Sequence, residues 1–345
     1  MPFTAQELSN IANSVLDYHI RGKVKSQIIQ NRPLYNDLMA GKKSFPGGKE
    51  FITERVKGVY TTALTGYSHD DTVTFQNPAN IKQIQAKWYE MSGGISLTHT
   101  ELHVAGISVV DTNGENTTNH SQQDLIQLTN ILDDKFEDMD EGTKRSMAEI
   151  MWRDGTQDPK VFPGITSFIL DAPTTGTTFG LDRAANAWWR NRASLLIDSS
   201  TASNQNLVQT LQLEIRQLRR YAKNPNHKFY CGATFMDNFE KELRSKGNYT
   251  LEGWAKQGKI DASVADLAFK GIDLQYEPLL DDLGRAKYGY LLDMNASQLR
   301  PMSDEEWKMH SPARPPEKYV LYRAVTWVGA LTANQLNSSG VYSSL

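Results

Sequence analysis

"MWRDGTQDPKVFPGITSFIL", residues 151–170, carries the chain out of one kind of structure and into another. Upstream, Leu125, Leu128, Leu132, Phe136, Met139, Met147 and Ile150 recur at three- and four-residue steps, the signature of one apolar helix face. The spacing predicts a helix over 121–152, with Ser121 and Asp124 at its start and Gly155 just past its end. About 30 residues at ~1.5 Å each make a rod of roughly 45 Å, long for a compact domain. Asp154-Gly155 breaks it, Pro159 and Pro163 bound the next segment, and Gly164-Ile165 forms a corner before a strand-like run. A second stretch, "FGLDRAANAWWRN", residues 179–191, follows and sets two tryptophans among arginines.

Towards the N-terminus, residues 4–20 read as a helix capped by Thr4 and Glu7, and 32–40 as a second, short one. "GKKSFPGGK", 41–49, interrupts the chain, so 1–49 reads as an arm. Residues 50–90 alternate. Phe51, Thr53, Arg55, Lys57 and Val59 share one side of a first strand, and Ile84, Ala86 and Trp88 one side of a second. The turn-rich "TGYSHDD", 65–71, lies between. Two long polar strands form an extended hairpin that is marginal alone in water, so a neighbouring subunit is its natural support.

Towards the C-terminus, strands and helices alternate. "AWWRNRASLLI" reads as a strand, with Trp188 and Trp189 facing opposite ways. An amphipathic helix follows through Leu207, Leu211, Ile215 and Leu218, then "HKFYCG" as a strand and "TFMDNFEKELRSKG" as a helix. "GIDLQYEPLL" and "AKYGYLLDMN" read as further strands, which makes this a mixed α/β region. "SPARPPE", 311–317, marks a boundary before a long apolar strand with Tyr319, Leu321, Val325 and Trp327.

The 345 residues carry 37 lysines and arginines against 40 aspartates and glutamates, a formal charge of −3. That balance disfavours a dedicated nucleic-acid binder and leaves weak, non-specific contact open. One cysteine, Cys231, excludes an internal disulfide and any CxxC site. "MPFTAQELSN" has no basic-then-apolar leader, and no apolar run reaches the ~18 residues of a membrane span. The expectation is a soluble chain of a reducing compartment, without a membrane partner.

Motifs of chemistry are scarce. "GKKS", 41–44, fails as a phosphate loop because Asn36 and Lys43 occupy the deciding places. His99, Glu101 and His103 would share one face of a strand and could converge on a metal, yet their spacing is not that of a zinc helix. A polar strand or cap segment is the simpler account. No nucleophile elbow or dinucleotide turn occurs, and Cys231 in an apolar strand reads as a small buried residue. The basic cluster Arg216, Arg219, Arg220 and Lys223 reads as a helix C-terminus favouring its dipole. No catalytic, cofactor or metal residue is assigned.

The order of these parts resembles the major capsid proteins of tailed bacteriophages, the Hong Kong 97-like α+β fold. The likeness spans essentially the whole chain and is sharpest over "MAEIMWRDGTQDPKVFPGITSFILDAPTTGTTFGLDRAANAWWRN", 147–191. In that family a spine helix ends near a similar Asp-Gly, followed by a glycine corner and an Arg…Trp-Arg strand. The resemblance implies an N-terminal arm over 1–49 and an E-loop hairpin over 50–90, lying across an adjacent subunit. It implies a P-domain over 91–185 and 318–345 with the spine helix at about 121–152. It implies an A-domain over 186–317.

The same resemblance implies a non-enzymatic coat protein without cofactors. Hexamers and pentamers of it would form an icosahedral shell enclosing double-stranded DNA, in the virion, after assembly in the host bacterial cytoplasm. The partners implied are further copies of the chain, a separate scaffolding protein, a portal protein and an optional decoration protein. The packaged DNA would be touched non-specifically. Arg55, Lys57, Tyr60, Tyr67, His69, Phe75, Arg183, Trp189 and Arg190 are the candidate inter-subunit contacts. Pairing of the arginines within the subunit is the plain alternative. The family's namesake links a hairpin lysine to a neighbour's asparagine. Lys49, Lys57, Asn334 and Asn337 lie in comparable regions, but no local motif brings them together and no cross-link is expected. An encapsulin-like cellular compartment and a cytosolic metal-dependent enzyme are the alternative functions.

Overall fold

A computed structural model describes residues 30–72, 75, 77, 80–98, 100, 122–199, 205–222, 225–245, 268–310 and 320–345. The predicted helix at 4–20 and the His99–Glu101–His103 set lie outside these residues. In chain order the elements begin with α1 (Pro33–Ala40), β1 (Phe51–Lys57), β2 (Ile81–Lys87) and β3 (Tyr89–Thr98). The long helix α2 (Gln122–Trp152) follows, then the short β4 (Thr177–Thr178) and β5 (Leu181–Asp182). Next come β6 (Arg192–Ile197), α3 (Leu207–Tyr221), β7 (His227–Cys231) and α4 (Ala233–Ser245). The rest are β8 (Ala268–Phe269), β9 (Ile272–Tyr276), α5 (Pro278–Asp282), β10 (Tyr288–Asp293), β11 (Ser297–Pro301), β12 (Lys308–Met309), β13 (Val320–Ala333) and β14 (Gly340–Ser344). The fold is α+β.

Helix α2 has 31 residues, about 46 Å at ~1.5 Å per residue. Met139 and Met147 of its apolar stripe are buried. It lies along β3, in a sheet of four strands where β13 pairs with β3, β11 and β12. The other large sheet runs β6-β14-β10-β7-β9-β8. Its central strands are apolar on both faces because both are covered. Phe229, Cys231, Leu291 and Tyr342 face α3 and α4, while Tyr230, Tyr290, Leu292 and Val341 join the core around Trp152. The Trp152 ring, at the end of α2, packs 6.1 Å from Tyr230 and 5.1 Å from Tyr290. The helix thus ends against the larger sheet while its flank lies on the smaller one.

The 318–345 segment expected in one domain divides between the two sheets. β13 joins the four-stranded sheet, and β14 lies in the larger one, parallel to β6 and antiparallel to β10. The boundary placed at 311–317 also shifts, because β11 and β12 already pair with β13. Hydrogen bonding decides this: β13 is 14 residues long and offers partners on both edges.

Segment 32–45 ties these parts together. Arg32 pairs with Glu141 of α2. Asp37 accepts bonds from Lys228 Nζ at 2.5 Å and Tyr230 O–H at 2.6 Å. The Leu34 N–H donates to Glu277 Oε2 at 3.1 Å. Glu277 is fully buried where α1, α5 and the end of α2 meet. Burial pushes its pKa up to about 7. The N–H groups of Leu34 and Leu279, the Trp152 indole and the Arg32 charge all favour the ionised form, but more weakly.

A carboxyl raised in the folded state stabilises the fold at low pH and loses that contribution as pH rises through the folded value. The contribution is complete below the ordinary value of 4.5 and gone above about 7. Wild type is therefore expected to lose on the order of 2 kcal/mol between pH 5 and pH 8 relative to Glu277→Gln. Urea midpoints of both chains at the two pH values measure this. Parallel pH profiles would remove Glu277 as the cause.

Candidate assembly surface

The hairpin strands β1 and β2 pair antiparallel with Phe51 opposite Lys87, Glu54 opposite Ile84 and Lys57 opposite Ile81. The two-residue period gives this ribbon distinct faces. The inner face carries Val56, Ile84 and Ala86, all buried, and Val56 and Ile84 belong to the subunit's own core. The hairpin root is therefore supported by its own chain, contrary to the expectation that the ribbon buries little within the subunit. Glu54 on this face pairs with Arg300 of β11. The outer face carries Thr53, Arg55, Lys57, Gln83, Gln85 and Lys87, all exposed.

Residues 179–191 build the bracket that holds this root. Phe179 and Gly180 have φ of 50° and 82°, a two-residue turn that closes β4 on β5 with the twist hairpins favour. A phenylalanine held there is strained by about 1–3 kcal/mol. The position turns its carbonyl to the ribbon, where it accepts the Gln85 N–H at 3.0 Å. The Phe179 ring stacks on Phe168 at 5.5 Å. The Trp188 ring lies on the backbone of Gly58, where a Cβ would stand 1.9 Å from the ring. Trp188 and Trp189 sit on a 3-10 turn, Ala187–Trp189, rather than on the predicted strand. Their rings meet edge to face at 5.8 Å instead of pointing apart.

Three of the candidate contacts prove to be parts of this bracket. Arg183 is fully buried. It donates to Thr178 Oγ1 at 2.8 Å, to Asn191 Oδ1 at 2.8 Å and to the Phe168 carbonyl. Burial, with the nearby Arg190 charge, pushes its pKa down to about 10, so it remains charged at neutral pH. Trp189 is buried and donates its indole N–H to the Thr178 carbonyl at 3.2 Å. Arg190 is half-buried and holds the carbonyls of Arg183 at 2.8 Å and Ala184 at 3.0 Å. All three are satisfied within the subunit, so the intra-subunit alternative accounts for them. Each carbonyl they use comes from a neighbouring turn that local sequence reading does not reveal.

The remaining candidates stay together on the surface. Beyond the root, residues 58–80 form no strand among the described residues. Val59, Tyr60, Leu64, Tyr67 and Phe75 are exposed there, as is Ile81 at the start of β2. A stretch with this many large apolar side chains in water marks an interaction site. His69 is exposed at the tip, where the Ser68 N–H binds Asp71 Oδ2 at 2.8 Å. Lys57 Nζ stands 4.3 Å from the Tyr60 ring centre.

Elsewhere, a groove of about 520 Å³ runs between α2 and β3, floored by Met91, Ile95, Met147, Val161 and Trp327. Among the described residues no three His, Cys, Asp or Glu side chains could hold a metal, and no helix is long and apolar enough to cross a membrane. Cys231 is buried, which pushes its thiol pKa well up.

A hairpin held at its root and bare beyond it, a long helix laid on a four-stranded sheet, and a larger sheet with two covering helices define the Hong Kong 97 fold. Solved structures show the same arrangement. The Cyanophage A-1(L) capsid asymmetric unit is 12% identical, covering 93% of this chain and 95% of its own, with a TM-score of 0.64. The bacteriophage PhiM1 mature capsid is 7% identical over 93% and 90%, with a TM-score of 0.57. The capsid of the native GTA particle is 11% identical over 94% and 93%, with a TM-score of 0.56. No protein-family model and no curated protein matches the sequence. The fold is that of phage capsid subunits.

Proposed function

We propose that the chain is the major capsid protein of a tailed bacteriophage, with a structural rather than catalytic role. Its copies form hexamers and pentamers that close into an icosahedral shell around double-stranded DNA. The observation that carries this reading is the hairpin. Its root is fixed by the bracket, while six large apolar side chains from Val59 to Ile81 remain in water. A subunit on its own has no use for that surface, and a shell of symmetric, repeated contacts has. The fold supports the reading independently.

The domain roles follow from the resemblance. The hairpin acts as the E-loop, α2 with the four-stranded sheet as the P-domain, and the larger sheet with α3 and α4 as the A-domain. A separate scaffolding protein, a portal and an optional decoration protein complete the partners. DNA is touched non-specifically, and subunits are not covalently linked. Assembly takes place in the host cytoplasm and the product is the virion shell.

The test is negative-stain electron microscopy of the purified chain, alone and co-expressed with the products of neighbouring reading frames. Closed shells, or rings of five and six, are the expected result. A uniform small particle under every condition would sink the reading. Removal of residues 65–71 should leave the circular dichroism and melting of the subunit unchanged and abolish shells. Normal shells from that variant would show that the hairpin is not the assembly element.

A further inference from the structure

We propose that α1 is a detachable clasp between the end of the long helix and the larger sheet, and that its docking takes up a proton at Glu277. The device goes beyond the capsid reading and does not depend on it.

The clasp is small and its ties are few. α1 has eight residues, too few to hold a helix in water by itself. It buries Pro33, Leu34, Tyr35 and Leu38. Arg32 ties it to Glu141 of α2, and Asp37 to Lys228 and Tyr230 of β7. Arg32 stands at its N-cap and makes no side-chain bond there. Glu277 supplies the cap from another element, accepting the Leu34 N–H at 3.1 Å. Beyond Gly41 the chain is held separately. The Lys43 N–H donates to the Leu299 carbonyl at 2.9 Å and the Phe45 N–H to the Pro301 carbonyl at 3.0 Å. α1 therefore swings out about Gly41 while 43–45 stay on β11.

Leu34 and Leu38 share a core with Trp152, Leu279 and Leu280, so α1 forms one wall of the chamber around Glu277. Glu277 Oε1 and the Trp152 indole nitrogen are both enclosed there, and neither completes a hydrogen bond among the described residues. The indole still favours the charge at longer range. That is thin support for a buried carboxylate, and burial pushes the Glu277 pKa up to about 7. With α1 away, water reaches the carboxyl and its value falls towards the ordinary 4.5. A value raised in the docked state favours docking fully below 4.5 and loses that contribution as pH rises through about 7. Undocking thus releases a proton and is promoted above neutrality.

Arg32 faces Glu277 from the chain before α1, Tyr230 from β7 and Tyr276 from β9. Behind them stand Glu141 at Arg32, Asp37 with Lys228 at Tyr230, and Asp281 of α5 at the Tyr276 hydroxyl. The bond to Asp281 pushes Tyr276 up to about 12, and burial pushes Tyr230 higher still. Burial also raises Tyr35 of α1. His227 lies at the opposite end of β7 on the Ser338 carbonyl, where burial holds it below 6.5. Glu277→Gln separates its titration from that of the clasp.

Hydrogen exchange of the full chain, corrected for the intrinsic pH dependence of amides, is read over residues 33–41 and over β10. From pH 5 to pH 8 the opening of α1 is expected to rise at least about tenfold in wild type, within the roughly 70-fold that a full return from 7 to 4.5 would give. In Glu277→Gln the rise is expected to stay under about threefold. β10 should open less than α1 at both pH values, because the clasp leaves without the sheet. Asp37→Asn should increase α1 opening at least about threefold at both pH values and keep the slope. Equal slopes in wild type and Glu277→Gln overturn the proposal. So does β10 opening together with α1, which makes the event global unfolding. If Glu277→Gln does not fold, Asp37→Asn decides, since loss of the slope there would make Asp37 the sensor. A flat wild-type profile ends the idea without any variant. Failure to form shells would bring down the capsid reading and leave these outcomes untouched.

Discussion

Gly164→Ala is expected to destabilise the subunit by about 3 kcal/mol, enough to leave much of it aggregated on expression. The reason lies at the end of the long helix. A Cβ at position 164 would stand 2.3 Å from the Met151 carbonyl oxygen and 2.4 Å from that of Ile150. Both contacts are backbone, so no side chain can rotate away. The Gly164 N–H donates to the Arg153 carbonyl at 2.7 Å, closing the corner onto the last turn of the helix. Thr166 adds a bond from its hydroxyl to the Trp152 carbonyl at 2.7 Å. A methyl group must therefore push the corner off the helix and disturb the seat of Trp152. A chemical-denaturation midpoint within experimental error of wild type would show that the corner yields freely.

Arg183→Met is expected to lose about 3–4 kcal/mol, although it replaces a buried charge by an apolar chain of similar length. Among the described residues the guanidinium has no carboxylate partner, so its removal breaks no ion pair there. It does strip donors from Thr178 Oγ1, Asn191 Oδ1 and the Phe168 carbonyl, all of which are closed off from water around it. Arg183→Lys should recover only part of the loss, since an ammonium cannot reach three acceptors set in a planar fan. Because Phe179 and Trp188 of the same bracket touch the ribbon at Gln85 and Gly58, the root should loosen as well. Hydrogen exchange at the Gln85 amide would report that loosening. Unchanged exchange together with a loss under 1 kcal/mol, roughly the net value of one hydrogen bond, would show the bracket to be dispensable.

Much of the architecture was legible because it rests on periodic apolar patterns. Helix α2 is predicted over 121–152 and found over Gln122–Trp152. The alternation of Ile84 and Ala86 along the second hairpin strand was legible, but the burial of that face against the subunit's own core was not. What escaped depends on contacts distant in sequence. Trp188 and Trp189 read as strand residues because large aromatics favour strands. The turn beginning at Asn186 and the fit of Trp188 over Gly58 override that preference. Arg183 read as a surface cation because arginine is seldom fully buried. Its acceptors come from 168, 178 and 191, which only the folded chain brings together. Strand β14, "GVYSS", is too short and too polar to announce itself, yet all five of its residues are buried.

That last strand has a consequence for the order of synthesis. Among the described residues β6, made near residue 192, is linked to the rest of its sheet only through residues 340–344. Until the ribosome has delivered those residues, β6 has no sheet partner and β10 has one bare edge. A nascent or prematurely ended chain lacking β14 would expose both edges and part of the core behind Tyr342. Completeness is thereby written into topology: a polypeptide interrupted before residue 340 cannot close its larger sheet.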